Sequence, residues 1–130
     1  MILVDTSIWI AMLRKKNPFR IEEAVEFDEI ITCLPVIQEV LQGFREESIY
    51  RTARDAMLAL PIVESPMEKS LFLEAAELYR SARRRGLTVR SSVDCLIAAC
   101  ALRHNVPVLH SDRDYNLLGE ICPLKSRTIS

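Results

Sequence analysis

A chain of 130 residues, of which 49% are hydrophobic and 27% charged, is long enough to bury a core without disulfide bonds and too apolar to be disordered. Its formal net charge of -1 gives no overall basic surface, so any contact with nucleic acid must come from local basic groups or bound metal. The start of the chain shows no basic leader, and the apolar run at residues 8–13 is too short to cross a bilayer, so we expect a cytoplasmic protein with no membrane contact.

Short apolar runs alternate with amphipathic stretches along the chain, and this alternation predicts strands followed by helices. The first run stops at Asp5, and Thr6 or Ser7 is in position to cap the helix that follows. Strands are predicted at residues 2–4, 29–33, 62–63, 106–109 and 126–129. Helices are predicted at residues 6–13, 20–27, 35–44, 48–60, 66–85 and 91–105, with a short helix after a polar turn that begins at residue 112.

Residues with special backbone preferences mark several of these boundaries. Pro35 fits the first turn of its helix, and Gly86 and Asn105 are typical of the position just after a helix end. Ser91 or Ser92 is a candidate N-cap for the helix that follows. Alternating strands and helices predict a parallel α/β sheet with right-handed crossovers, in a single domain over residues 1–130.

The cysteines and histidines do not form a zinc-binding pattern. No two cysteines are spaced as C-x-x-C, and the histidines do not complete a ligand set. We therefore expect reduced and mostly buried thiols. The residues concerned are Cys33, Cys95, Cys100, Cys122, His104 and His110.

Acidic residues follow the predicted strands at the edge where an open parallel sheet forms its functional crevice. Asp5 ends the first strand, Asp112 follows the strand at residues 106–109, and Asp94 lies in the first turn of a helix that can approach the same edge. Glu39 lies beside the apolar stripe of its helix, so it can border the crevice while its neighbours pack. These four acids are the candidate catalytic residues.

Clustered carboxylates suit the hydrolysis of a phosphodiester. Hard oxygen ligands hold Mg²⁺ or Mn²⁺ and leave positions open for water and phosphate. Such ions activate the attacking water and neutralise the charge that builds on the phosphate. Each acid alone also has an ordinary explanation: Asp5 as a helix cap, Asp94 as a favourable charge at a helix N-terminus, and Asp112 as a turn residue. Spacing alone does not separate these interpretations.

Four segments in order resemble the motifs of PIN-domain ribonucleases, in particular the VapC-type toxins of toxin-antitoxin pairs. The resemblance spans nearly the whole chain, and no acidic position of the pattern is missing. The segments are Val4-Asp5-Thr6-Ser7-Ile8-Trp9, Glu39-Val40-Leu41-Gln42-Gly43-Phe44, Ser92-Val93-Asp94-Cys95-Leu96-Ile97-Ala98-Ala99 and His110-Ser111-Asp112-Arg113-Asp114-Tyr115.

The resemblance implies a three-layer sandwich, with a central, mostly parallel sheet of four or five short strands flanked by helices. It also implies that Asp5, Glu39, Asp94 and Asp112 line one acidic pocket, with Asp5, Asp94 and Asp112 as ligands of Mg²⁺, for which Mn²⁺ is a possible substitute. Asp114 is implied as a supporting fifth acid. Ser7 would orient water or a neighbouring carboxylate, or else cap the helix.

The function that the resemblance implies is an endoribonuclease that acts as the toxin of a type II toxin-antitoxin system. Its partners would be RNA, a VapB-like antitoxin and a second copy in a homodimer. The stretch that contains Trp9 would form part of the antitoxin surface, although Trp9 could instead stack on an RNA base or belong to the core.

Other functions remain open at this point. One is a stand-alone PIN-type nuclease in RNA processing, and another is a related nuclease that acts on DNA. Asp5 as the nucleophile of a phosphatase is less compatible with the chain, because Ser7 stands where that pattern needs an Asp. The remaining alternative is a noncatalytic α/β interaction module.

Overall fold

Strands and helices alternate along the chain in the computed structural model, which describes residues 1–129. Five strands and six α-helices are found among these residues. Two short 3-10 helices, Ile21–Glu23 and Phe27–Glu29, lie between the first helix and the second strand. The elements are β1 (Ile2–Val4), α1 (Thr6–Met12), β2 (Ile30–Cys33), α2 (Leu34–Leu41), α3 (Glu47–Leu58), β3 (Ile62–Val63), α4 (Lys69–Arg84), α5 (Ser92–His104), β4 (Val108–His110), α6 (Arg113–Gly119) and β5 (Ser126–Thr128). None of these helices is long and apolar enough to span a membrane.

The five strands form one parallel sheet in the order β3-β2-β1-β4-β5. Leu3 of the central strand β1 pairs with Ile31 on one side and Val108 on the other. The chain leaves β1 toward β2 and later returns to place β4 on the opposite side. The carboxyl ends of β1 and β4 therefore meet at the switch point of the sheet, which is where α/β proteins form their crevice.

Helices cover both faces of the sheet. Right-handed crossovers place α1, α2 and α3 on one face and α4, α5 and α6 on the other. The helix contacts group in the same way, because α2 packs on α1 and α3 while α4, α5 and α6 pack on one another. A strand with helices on both faces buries all of its side chains, which explains the continuous apolar sequence of β1. The predicted three-layer α/β sandwich is confirmed.

Most predicted elements are present with shifted ends. The strand expected at residues 106–109 is Val108–His110, and the helix expected from residue 66 begins at Lys69. Gly86 and Asn105 follow helix ends with φ angles of 75° and 50°, as predicted. The cysteines in the described chain are free, and three of them are buried, in line with the expected burial of most thiols.

The amphipathic helix predicted at residues 20–27 is wrong. Ile21 and Val25 are the buried residues of this segment, Ala24 is partly buried, and Phe27 is 72% exposed. Two buried residues one turn apart do not provide the packing that a short helix needs. Acidic side chains at Glu26 and Asp28 would also disfavour its C-terminal end. The segment therefore forms two separate 3-10 turns.

The expected cap of α1 needs correction, whereas the expected position of the α5 cap is confirmed. Asp5 is the N-cap of α1, in place of Thr6 or Ser7, because its carboxylate accepts the backbone N–H of Ser7 at 3.0 Å. Ser91 is the N-cap residue of α5, but its side chain makes no capping hydrogen bond. Its backbone N–H donates instead to Asp114, a contact that only the tertiary fold can create.

Candidate active site

Asp5 lies immediately after β1 and is held by three protein donors. It is 2% exposed, and its Oδ2 atom accepts the backbone N–H of Ser7 at 3.0 Å and the Ser7 hydroxyl at 2.6 Å. Its Oδ1 atom accepts the Tyr115 hydroxyl at 2.5 Å. These three hydrogen bonds fix the orientation of the carboxylate. Asp5 thus presents a fixed carboxylate at the switch point.

Asp94 lies in the first turn of α5, where burial and neighbouring carboxylates make its charge unfavourable. Desolvation is the largest cause, followed by the contact with Asp114 and the charges of Asp5 and Asp112, and together they raise the pKa of Asp94 to about 9. Its Oδ1 atom is 3.3 Å from the Tyr115 hydroxyl. Its Oδ2 atom is buried and has no hydrogen-bond partner among the described residues. A buried acceptor without a donor is costly, so this oxygen requires either a proton or a cation.

Asp112 and Asp114 bring two further carboxylates to Asp94. One oxygen from each of the three residues lies within 4.8 Å of the others. Asp112 is the N-cap of α6, is 28% exposed, and accepts the backbone N–H of Asp114 at 2.9 Å. Asp114 is 1% exposed and accepts the backbone N–H groups of Arg90 and Ser91 at 3.1–3.2 Å. Asp114 therefore holds the segment that leads into α5.

Glu39 lies outside this cluster in the described structure. It is on α2, half-buried, and its Oε1 atom accepts the Thr6 hydroxyl at 2.8 Å. Since Thr6 follows Asp5 directly, this bond ties Glu39 to the end of β1. The structure thus brings Asp5, Asp94, Asp112 and Asp114 together around α5 and α6, with Glu39 at the side of α1.

The hydroxyl of Ser7 joins two parts of the site. It donates to Asp5 and accepts the backbone N–H of Ser111 at 3.0 Å, so it connects the start of α1 to the loop after β4. A serine here orients a neighbouring carboxylate, which is one of the two roles that the sequence suggested. The N-cap role belongs to Asp5.

Tyr115 contacts the acids, yet the sequence analysis assigned it no role. Burial and the charges of Asp5 and Asp94 raise the pKa of Tyr115 well above its usual value, so its hydroxyl remains a donor. His110 packs beside it with ring centroids 4.9 Å apart, and burial lowers the pKa of this histidine. The Nδ1 atom of His110 accepts the backbone N–H of Asp112 at 3.2 Å. The only signal in the sequence was that both residues flank the acids of the fourth segment.

Arg90 is the second residue of the site that the sequence analysis missed. Its side chain is 62% exposed, with Nη2 at 3.7 Å from Asp112 Oδ1 and Nε at 3.9 Å from Asp114 Oδ1. These distances are long for a salt bridge, so the guanidinium is not committed to either acid. Its position depends on the loop before α5, which no local pattern predicts.

The atoms available as metal ligands at this site fit a hard divalent cation. All nearby ligand atoms are carboxylate oxygens, and oxygen is the atom that Mg²⁺ and Mn²⁺ prefer. Asp94 Oδ2 supplies a buried oxygen to which no donor in the described part of the chain is bound. Because a cation at this oxygen would also offset the repulsion among the acids, the residues present fit the metal that the sequence implied.

Comparison with known proteins agrees with this fold, since the PIN domain family model matches residues 2–121. The chain belongs to the PIN-domain family. Ribonuclease VapC11 of Mycobacterium tuberculosis is 35% identical over 133 aligned positions, covering 97% of each chain. Ribonuclease VapC17 of the same species is 26% identical, covering 93% of this chain and 89% of its own.

Solved structures of toxin-antitoxin proteins share the fold. A chain of VapBC2 from Rickettsia felis, bound to a DNA fragment from the promoter, superposes with a TM-score of 0.78 at 19% identity and full coverage of both chains. A chain of VapBC-1 from nontypeable Haemophilus influenzae gives 0.73 at 16% identity, with 98% of each chain covered. At these identities the likeness establishes the fold.

Proposed function

We propose that this chain is a metal-dependent endoribonuclease and the toxin of a type II toxin-antitoxin pair, acting in the cytoplasm through a single nuclease domain formed by residues 1–130. The buried Oδ2 atom of Asp94, which has no hydrogen-bond partner among residues 1–129 and lies near the carboxylates of Asp5, Asp112 and Asp114, carries the proposal. The 35% identity to a named VapC ribonuclease supports RNA as the substrate. A noncatalytic module would have no use for a destabilising acidic cluster.

Asp5, Asp94 and Asp112 are the proposed ligands of Mg²⁺, with Mn²⁺ as a substitute. When bound, the ion would activate the attacking water and offset the negative charge of the scissile phosphate. Asp112 is a better ligand than Asp114 because Asp112 is partly exposed, whereas the Asp114 carboxylate is engaged by backbone N–H groups. Asp114 and Ser7 then act as supports that hold α5 and Asp5 in place.

Glu39 and Arg90 are proposed to act on the substrate side of the acids. Thr6 fixes one carboxylate oxygen of Glu39, so the side chain can face the crevice in a defined orientation and accept a proton there. Arg90 has an exposed guanidinium next to Asp112, where it can bind a phosphate of the RNA backbone. The guanidinium of Arg90 would thereby place a positive charge beside the acidic pocket, where the anionic substrate binds.

An antitoxin helix is the proposed occupant of an apolar groove between α1, α2 and α3. The groove encloses about 170 Å³ and exposes no polar surface, and Leu13 at its edge is 56% exposed. Apolar grooves between helices are typical docking sites for an amphipathic helix. Trp9 lies in the wall of this groove and donates its indole N–H to the Val4 carbonyl at 3.2 Å, which favours a packing or interface role over base stacking.

We further propose a homodimer that uses the exposed apolar side chains near the N-terminal end of α4. Phe72 and Leu73 are 49% and 71% exposed there, and large apolar side chains of this exposure favour an interface between proteins. Size-exclusion chromatography with light scattering on the wild type and on Leu73→Glu would test it. We expect a dimer that the charged variant dissociates, and a monomeric wild type would contradict the proposal.

The nuclease proposal is tested by incubating chelator-treated protein with tRNA, rRNA and mRNA, with and without Mg²⁺ or Mn²⁺. Asp94→Asn is the test variant, and Asp28→Asn is the control because Asp28 is an exposed acid that precedes β2, at the edge of the parallel sheet opposite the acids that follow the strands. We expect Mg²⁺ or Mn²⁺ to restore RNA cleavage by the wild type and by Asp28→Asn, but not by Asp94→Asn. Absence of cleavage in every RNA and metal, or equal cleavage by Asp94→Asn, would refute the proposal.

Co-expression with a small neighbouring gene tests the toxin part separately. We expect expression of the chain alone to arrest growth, and the partner to co-purify and restore growth. Leu13→Glu should weaken that co-purification by placing a charge at the edge of the groove. Harmless expression together with active RNA cleavage would leave a stand-alone PIN-type nuclease in RNA processing as the function.

A further inference from the structure

Tyr115 is fully buried, although its side chain carries a hydroxyl group. It lies on α6 with a relative exposure of 0%, and its ring packs against His110. Burying a hydroxyl costs free energy unless a partner satisfies it, so the partners of such a group indicate what it does.

The two partners of this hydroxyl are carboxylates from different parts of the fold. Asp5 Oδ1, at the end of β1, lies 2.5 Å from it, and Asp94 Oδ1, in the first turn of α5, lies 3.3 Å from it. The single phenolic proton is therefore donated mainly to Asp5, while Asp94 is held close to the same oxygen. One hydroxyl thus connects three secondary-structure elements at the switch point of the sheet.

These contacts decide which carboxylate oxygens remain free. Asp5 Oδ2 already accepts two donors from Ser7, and Asp5 Oδ1 accepts Tyr115. In Asp94, Oδ1 faces Tyr115 and Oδ2 is left without a donor. Without the hydroxyl, nothing in the described structure would hold Asp5 Oδ1 or keep the two acids in register.

We propose that Tyr115 is a positioning residue of the active site, whose hydroxyl sets the orientation of the Asp5 and Asp94 carboxylates and leaves Asp94 Oδ2 free for a cation. The inference rests on the proposed function, because it assigns the two acids to a metal site. Groups that hold metal ligands in place change metal affinity or activity by about 10- to 100-fold when they are removed.

Tyr115→Phe is the sharpest test because it removes the hydroxyl and keeps the ring that packs against His110. Tyr50→Phe is the matched control, since it makes the same change on α3, away from the acids. Mn²⁺ affinity would be measured by calorimetry, and kcat and KM for RNA at saturating Mn²⁺. We expect a loss of Mn²⁺ affinity or kcat of about 10- to 100-fold with KM nearly unchanged for Tyr115→Phe alone.

Wild-type affinity and kcat in Tyr115→Phe would overturn the inference and leave the nuclease proposal intact. A wild type that neither binds Mn²⁺ nor cleaves RNA would refute the proposed function itself. If Tyr115→Phe fails to fold, NMR of the wild type labelled at its tyrosine rings replaces it, with Tyr50→Phe and Tyr79→Phe used for assignment. Mn²⁺ at stoichiometric amounts should broaden the Tyr115 signal first, and selective broadening elsewhere would overturn the inference.

Discussion

The hydroxyl of Ser7 accepts the backbone N–H of Ser111 at 3.0 Å, although the two residues are 104 positions apart in sequence. The same hydroxyl donates to Asp5 Oδ2 at 2.6 Å. A single oxygen therefore connects the first acid of the site to the loop that leads into Asp112, and this connection has a measurable consequence.

Ser7→Ala should lower RNA cleavage by about 10- to 100-fold, because Asp5 loses a donor that fixes it. The free energy of unfolding should fall by only about 1–3 kcal/mol, since one backbone N–H and one carboxylate lose a partner. Turnover assays and urea unfolding measure the two effects. Ser48→Ala, an exposed serine on α3, serves as the control. Cleavage at the wild-type rate by Ser7→Ala would show that Asp5 does not depend on this hydroxyl.

Asp112→Asn and Asp114→Asn should separate two neighbouring acids by their effects. Asp112→Asn should abolish most cleavage with little change in stability, because its partly exposed carboxylate is the proposed ligand. Asp114→Asn should reduce the free energy of unfolding by about 1–3 kcal/mol, because an amide N–H₂ would face the backbone N–H groups of Arg90 and Ser91. Urea unfolding and turnover assays on both variants make the comparison. If Asp114→Asn abolished cleavage without loss of stability and Asp112→Asn lowered stability instead, Asp114 would be the metal ligand.

The metal-free protein should become less stable as the pH rises. Burial and the neighbouring acids raise the pKa of Asp94 from 3.8 to about 9, so the folded state binds a proton that the unfolded state releases. Between these two values the folded state holds more protons, and stability therefore falls with increasing pH. Thermal melts in chelator should show this decline, and Asp94→Asn should flatten it. If the stability of the wild type rose with pH across this range, and Asp94→Asn removed that rise, the raised pKa of Asp94 would be contradicted.

Mn²⁺ or Mg²⁺ should reverse that decline, because the ion binds the ionised carboxylates of the folded state. The increase in melting temperature should grow with pH as Asp94 gives up its proton. Asp94→Asn should lose most of this increase, whereas Asp28→Asn should keep it. Melts that show no metal-dependent shift at any pH would mean that the cluster does not bind these ions.

Arg90→Ala should raise KM for RNA more than it lowers kcat, because the exposed guanidinium is proposed to bind a backbone phosphate. The salt dependence of RNA binding should also become shallower. Arg45→Ala is a suitable control, as Arg45 is exposed on the loop after α2. An unchanged KM together with an unchanged salt dependence would place the RNA contact elsewhere.

The sequence predicted the strands well because both faces of the sheet are covered. Apolar runs such as Ile2-Leu3-Val4 report this burial directly, and the residue that ends such a run marks the functional edge. Asp5 and Asp112 were found in this way. Residues 20–27 were predicted wrongly, because a helical spacing of apolar residues was present without enough core contact to support a helix.

What the sequence did not predict is the set of contacts that join distant segments at the site. Asp114 holds backbone N–H groups that lie 23 and 24 positions earlier, and Tyr115 reaches an acid 110 positions away. Neither contact leaves a periodic or spacing signal. The roles of Tyr115 and Arg90 therefore became visible only when the switch point of the sheet brought α5 and α6 together with the end of β1.

The most direct test of the central claim is an anomalous difference map from crystals of the protein grown with Mn²⁺. A metal ion bound by the acids should give a peak within about 2.5 Å of Asp94 Oδ2, the range of oxygen ligation to divalent cations. Oxygens of Asp5 or Asp112 should bind the same ion, either directly or through a water molecule. A fully loaded crystal with no peak at Asp94, or with peaks at exposed acids only, would contradict the account.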